Sequence, residues 1–224
     1  MALGGLVLPA TRLAAKPSAE FDLDTICDRM VQRDRWRADT LISYSATRRY
    51  TFATGHSPQP AEMLVHMEYT RPGRKTFRVL SEKNGGFLSD IVFRDVMNAE
   101  IEASRDDIRD SIGITPQNYE FEALGTGELS GRSAYILRVK PRRRQRYVVD
   151  GRVWVDVNDA AVARIEGKAA TSSLWVRSFR MVRNYARFGP YWLVTSCRND
   201  ASVRFWGEAW LQIDDFDYNL KPAT

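Results

Sequence analysis

Histidine and cysteine, the side chains most often used as base, nucleophile or metal ligand, occur only twice each in this 224-residue chain, and their spacing suits none of those roles well. The histidines are His56, in the proline-rich turn His56-Ser57-Pro58-Gln59-Pro60, and His66, in the alternating stretch EMLVHMEYT. His66 could serve as a base, but general-base work needs a nucleophile or substrate proton within hydrogen-bond reach. No cysteine, Ser-Gly elbow or carboxylate motif accompanies it, so a structural strand histidine is the plainer reading. Cys27 and Cys197 stand far apart, and no HExxH or CxxC spacing occurs, which argues against a metalloenzyme. Two readings of the cysteines stay open. They are packed free thiols, or a disulfide tying an N-terminal helix to a late strand in an oxidising compartment.

Gly125-Thr126-Gly127 lacks the strand-then-helix setting of a phosphate-cradling loop and predicts a hairpin turn. Asp214, Asp215 and Asp217 lack the glycine and closing glutamate of a calcium loop and predict a solvated strand end. The one concentrated charge feature is KPRRRQR, Lys140 to Arg146. In isolation it could be a nuclear signal or a nucleic-acid patch. Lying between AYILRV and YVVDGRVWVDV, it predicts the tip of a β-hairpin, which stays solvated or meets anionic lipid headgroups. No aromatics interleave with it, as single-strand nucleic-acid binding requires. No catalytic residue, metal, cofactor or nucleic-acid partner is therefore expected.

The surrounding elements are strand-rich. With 44% hydrophobic and 27% charged residues the chain is globular in composition, and +5 at a pI near 9.3 is a mild basicity. No apolar run is long enough to span a membrane. The opening MALGGLVLPATRLAA, with Ala14 and Ala15 before Lys16-Pro17, resembles the end of a secretory signal but has Arg12 within it and no basic start. Residues 1–20 read as a tail or the remnant of a signal peptide, and 21–224 as a single domain.

From Phe21 to about Ala38, Leu23, Ile26, Met30 and Val31 share a helical face that Trp36 extends, with Asp22 or Asp24 placed to cap it. Residues 41 to 53 read as a long strand in which Ile42, Tyr44, Ala46, Tyr50 and Phe52 share a parity and Arg48 intrudes. Met63, Val65, Met67 and Tyr69 alternate next, and after Pro72-Gly73 come Lys75, Phe77 and Val79. A second helix carries Leu88, Val92, Val96, Ala99 and Ala103. From Tyr119 to Leu220 a run of about seven strands follows, rich in Val, Ile, Tyr, Trp and Phe. The class is α+β, mainly antiparallel β.

Parity within the late strands groups Tyr135, Leu137 and Val139; Val153, Val155 and Val157; and Ala163, Ile165, Gly167 and Ala169. Val203, Phe205, Gly207, Ala209, Leu211 and Ile213 form one side of an expected last strand, with Trp206 and Trp210 opposite. A strongly curved sheet uses small residues of this kind on its concave face, though a core filled by the helices would show the same pattern.

Trp154-Val155-Asp156, then Arg164-Ile165-Glu166, then Gly189-Pro190-Tyr191-Trp192-Leu193 give residues 21 to 220 a resemblance to the outer-membrane lipoprotein-sorting (LolA-like) proteins. Val194 stands where that family usually has a proline. The resemblance implies a strongly curved, unclosed β-barrel of about eleven antiparallel strands, with helices covering a concave hydrophobic face that receives the acyl chains of lipids or lipoproteins. It implies a periplasmic or cell-envelope location and, as further partners, envelope membrane proteins.

On that reading the cavity lining is Val65, Met67 and Tyr69, then Phe77 and Val79, then Leu137, Val139, Val153, Val155 and Ile165, and finally Phe205 and Leu211. Arg142, Arg143 and Arg144 are the candidate headgroup contacts. The competing reading is an envelope protein-interaction module whose core is filled, with Trp206 and Trp210 as an exposed patch.

Overall fold

The computed structural model describes residues 22–170, 176–203 and 207–223; the expected leader-like segment 1–20 lies outside them. Helix α1 (Leu23–Thr40) begins where Asp22 accepts a hydrogen bond from the backbone N–H of Thr25 at 3.2 Å. That bond satisfies one of the donors a helix start leaves free. Ile26, Cys27 and Met30 are its buried stripe. Strands β1 (Leu41–Thr54), β2 (Ala61–Thr70) and β3 (Arg74–Lys83) follow, then helix α2 (Phe87–Ser104). A short helix α3 (Asp106–Ile112) follows it, which the periodicity of the segment does not separate from α2.

The second half is the strand run β4 (Tyr119–Leu129), β5 (Arg132–Pro141), β6 (Val149–Asp156), β7 (Val162–Ala169), β8 (Val176–Phe188), β9 (Tyr191–Val203) and β10 (Gly207–Pro222). One antiparallel sheet holds all ten strands in the order β3-β2-β1-β10-β9-β8-β7-β6-β5-β4. The first and last strands pair at its interior, and β3 and β4 are its two free edges, so the barrel is unclosed. Ten strands lie among the described residues, in keeping with the expected count of about eleven.

Two local expectations are corrected. Gly125-Thr126-Gly127 is no turn: β4 runs through it, with a register shift between Ala123 and Gly125 and Gly125 at φ +135°. A bulge places two residues opposite one, and glycine reaches that backbone conformation without a Cβ clash. The expected last strand is also two strands. Val203 ends β9 and pairs with Gly207 at the start of β10, so the chain reverses between them. Phe205 and Trp206 fall outside the described residues.

The outward face is made polar by ion pairs. Glu166 accepts from Arg180 at 2.6 Å and lies within 3.6 Å of Arg152 and 3.5 Å of Arg164. Trp154 is flanked by the guanidinium groups of Arg152 and Arg164, 5.6 and 5.4 Å from its ring centroid. Inward side chains form two main apolar clusters. One lies beneath α1, with Ile26 and Met30 on Leu137, Val153 and Ile165. The other lies beneath α2, with Phe93 on Tyr50, Met63, Val65 and Ile213.

Between β6 and β7, Gly151 and Gly167 are register partners. A Cβ added to Gly151 would lie 2.0 Å from the Glu166 carbonyl oxygen and 2.5 Å from the Gly167 Cα. The strands approach closely only because both residues lack side chains. Gly151→Ala should therefore destabilise the fold by about 1–3 kcal/mol, the usual range for overpacking. Urea unfolding checks this; an unchanged midpoint would show that the ladder relaxes freely there.

Candidate ligand-binding site

Antiparallel register carries one inward row across most of the sheet. It runs Leu137, Val153, Ile165, Arg183, Cys197, Ile213, Tyr50, Met63 through successive cross-strand pairs. Directly opposed residues share a face, so these eight side chains line the concave side together. Seven are uncharged and Arg183 is the cation among them. Arg183 carried no sequence signal, because strand parity in RMVRNY leaves open which arginine faces inward.

The neighbouring row holds a buried ionic cluster. Arg48 on β1 is 4% exposed and opposes Asp215 on β10. Its Nε donates to Asp215 Oδ1 at 2.5 Å and its Nη2 to Oδ2 at 2.8 Å, a two-pronged contact with a fully buried carboxylate. Arg48 Nη1 also donates to Glu100 Oε1 of α2 at 2.6 Å, and Lys75 Nζ of β3 donates to Glu100 Oε2 at 2.9 Å. The guanidinium stands 5.7 Å from the Phe77 ring centroid and 5.8 Å from that of Tyr50.

The expected solvated end at Asp215 is thus overturned. The register with β1 turns this carboxylate inward, and the Arg48 fork accounts for its burial. Burial pushes the Asp215 carboxyl up, further than Arg48 pulls it down. Burial also pushes Glu100 up, but Lys75 and Arg48 outweigh it and hold Glu100 well below the usual carboxylate range.

The expected lining residues divide between the two clusters. Leu137, Val139, Val153, Val155 and Ile165 pack beneath α1, and Val65 and Leu211 beneath α2 with Phe77 at the margin. Met67 is buried beside Ala46, and Tyr69 is half-buried and stacked on Tyr44 at 5.1 Å. Val79 is not covered: it opposes Val65 but is 46% exposed, because β3 is an edge strand with a register shift between Leu64 and Val65.

Val65, Leu137, Val139, Val153 and Val155 have no exposed surface, so they are packed core in this closed arrangement. Two shallow clefts of about 90 and 210 Å³ lie along β2–β3, lined mainly by outward residues such as Arg49, Glu62, Glu68 and Arg74.

Residues 142–148 join β5 to β6 as the sequence predicts, but the loop rests on the helical side. Arg142 Nε donates to the Pro116 carbonyl at 2.9 Å, and Gln145 donates to the Ser111 carbonyl at 2.7 Å. Arg143 and Arg144 are exposed. His66 is on the outer face with Nε2 3.1 Å from Glu68 Oε1. Both cysteines are free and buried; burial, with Asp24 and Asp28 nearby, pushes the Cys27 thiol up to about 11. Trp210 is half-buried, with the Arg198 guanidinium 4.1 Å from its ring centroid. Among the described residues no cluster of three or more potential metal ligands occurs, and no helix is long and apolar enough to cross a membrane.

No family model and no curated protein matches the sequence. Solved structures do match the fold. The chain is similar to a putative outer membrane lipoprotein-sorting protein domain from Vibrio parahaemolyticus, with 12% identity and a TM-score of 0.52 over 86% of this chain and 91% of that one. It also matches a DUF1329 family protein from Desulfovibrio piger, with 15% identity and a TM-score of 0.48 over 88% and 92% of the chains. A LolA superfamily protein from Nitrosomonas europaea matches at 11% identity and a TM-score of 0.42, over 90% and 94%. At these identities the likeness is one of fold, an unclosed antiparallel sheet with helices on its concave side as in the lipoprotein-sorting domain.

Two predictions follow from the ionic cluster. Arg48→Met leaves Asp215 buried without its partner and should destabilise by about 3–5 kcal/mol, whereas Arg48→Met/Asp215→Leu should recover most of that loss. Thermal melts decide it, since a single variant melting with the wild type would show that the pair does not hold the fold. Glu100 has a folded pKa below its unfolded one. Its contribution is therefore complete above roughly pH 4.3 and is lost as pH falls toward the folded value. Glu100→Gln should lose less stability than the wild type between about pH 6 and pH 3 in urea titrations.

Proposed function

We propose that this chain is a non-catalytic carrier or sensor of the periplasm or cell envelope that binds the acyl chain of a lipid or lipoprotein. The observation that carries this reading is how the concave face is closed. Helices α1 and α2 cover it in two separate apolar clusters, and α2 is tied to the sheet by Glu100 on Arg48 and Lys75. Such a cover can lift away from the sheet, because what a helix loses in apolar contact an acyl chain supplies again.

The magnitudes agree. Each buried methylene contributes about 0.8 kcal/mol, so ten supply about 8 kcal/mol toward the apolar contact that a lifted helix gives up. The lining would then be Val65, Phe77 and Leu211 beneath α2, with Met67 beyond them beside Ala46, or Leu137, Val139, Val153, Val155 and Ile165 beneath α1. Arg143 and Arg144 on the β5–β6 loop would meet anionic headgroups at a membrane surface. The similarity to a lipoprotein-sorting domain supports the fold on which this reading rests.

A second reading has an observation of its own. Val65, Leu137, Val139, Val153 and Val155 of that lining have no exposed surface, as in an envelope interaction module whose helices never leave the sheet. One experiment separates them. The purified full-length chain is extracted with organic solvent for mass spectrometry, and the stripped protein is titrated with fluorescent palmitate. Acyl binding predicts co-purified lipid or saturable binding with Kd in the micromolar range or tighter. Neither signal leaves the interaction module as the reading that stands.

A further inference from the structure

Arg183 has a place in the fold that the ionic cluster does not account for. It faces inward from the middle of β8, between Ile165 on one neighbour and Cys197 on the other. Met181, the next inward residue on the same strand, packs against the cluster beneath α1 and against the one beneath α2. Arg183 therefore stands at the seam where the two helical covers meet.

A guanidinium in such surroundings is ordinarily matched by a carboxylate, because it presents five donors and stays charged. Among the described residues none lies within ion-pair distance of it. Cys197, its register partner on β9, offers only a thiol, a weak acceptor, and the polar contacts of that thiol are with Asn199. The two oxygens of Glu100 accept from Arg48 and from Lys75. Asp215 is held by the Arg48 fork. Three cations, Arg48, Lys75 and Arg183, thus share two carboxylates, Glu100 and Asp215, and the unmatched charge falls on Arg183.

We propose that Arg183 anchors the anionic group of a single-chain amphiphile, a carboxylate or phosphate monoester, whose tail runs from the seam into one of the two apolar clusters. This rests on the acyl-binding reading above and names the chemistry of the ligand's head. A planar guanidinium fork matches two oxygens of either anion. A tail attached there meets apolar side chains on both sides, Ile165 toward α1 and Ile213 toward α2. A neutral head would leave the guanidinium without its counter-charge.

The test compares palmitate with hexadecanol, which share a chain and differ in the head, by equilibrium binding to the delipidated full-length chain at neutral pH. Wild type should favour the acid by about tenfold or more, the scale of one charge-assisted contact. Arg183→Met should erase that preference while still binding the alcohol, and Arg183→Lys should retain part of it. Equal binding of acid and alcohol by the wild type overturns the anchor and leaves acyl binding intact, and so does a preference that survives in Arg183→Met. Binding of neither ligand overturns both readings. Saturable binding of inorganic phosphate that is lost in Arg183→Met, with no binding of palmitate, would overturn the amphiphile in favour of a free-anion site. Should Arg183→Met not fold, the wild-type comparison of acid and alcohol still decides.

Discussion

The Arg48–Asp215 pair is the interaction on which the rest of the structure depends. It joins the first strand to the last in the interior of the sheet, where both groups are removed from water. A charge in that position is tolerable only with a partner of good geometry, and each of these residues supplies the other's. Because Arg48 also reaches Glu100, the same guanidinium sets where α2 lies over β1–β3. Strand closure and helix placement are therefore one problem solved at one site.

The open sheet imposes the second constraint. With β3 and β4 as edges, the inward face cannot be buried by closing the barrel and must be covered from above. Two amphipathic helices provide the cover, each over its own cluster, and Glu100 of α2 brings the ionic group under that helix. The outward face solves the opposite problem. Arginines around Glu166 and Trp154 keep a broad strand surface wet, so the sheet has a dry side and a charged side without a second sheet.

The strand run was legible because β-branched and aromatic residues alternate strongly there, and α1 because Leu23, Ile26 and Met30 recur at helical spacing. The buried lining was legible for the same reason: parity alone places Val65, Leu137 and Val153 on inward faces. Parity failed where the ladder departs from a strict two-residue period. The register shift beside Val65 leaves Val79 uncovered, the bulge at Gly125 passes for a turn, and a reversal at Val203–Gly207 passes for continuous strand. The charged residues failed for a different reason. Arg48, Glu100, Asp215 and Arg183 look like solvated residues in a local window, and what buries the first and third and half-buries the other two lies on other strands and on a helix.

The sequence by itself determined the order of elements, the antiparallel character of the sheet and the apolar identity of its inner face, because each follows from local periodicity. Only the tertiary structure decided which strands are neighbours, that the first pairs with the last, and that the inner face contains charge. Register is a relation between distant segments. It brings Arg48 to Asp215 and leaves Arg183 among apolar neighbours, and no pattern within either segment specifies the other.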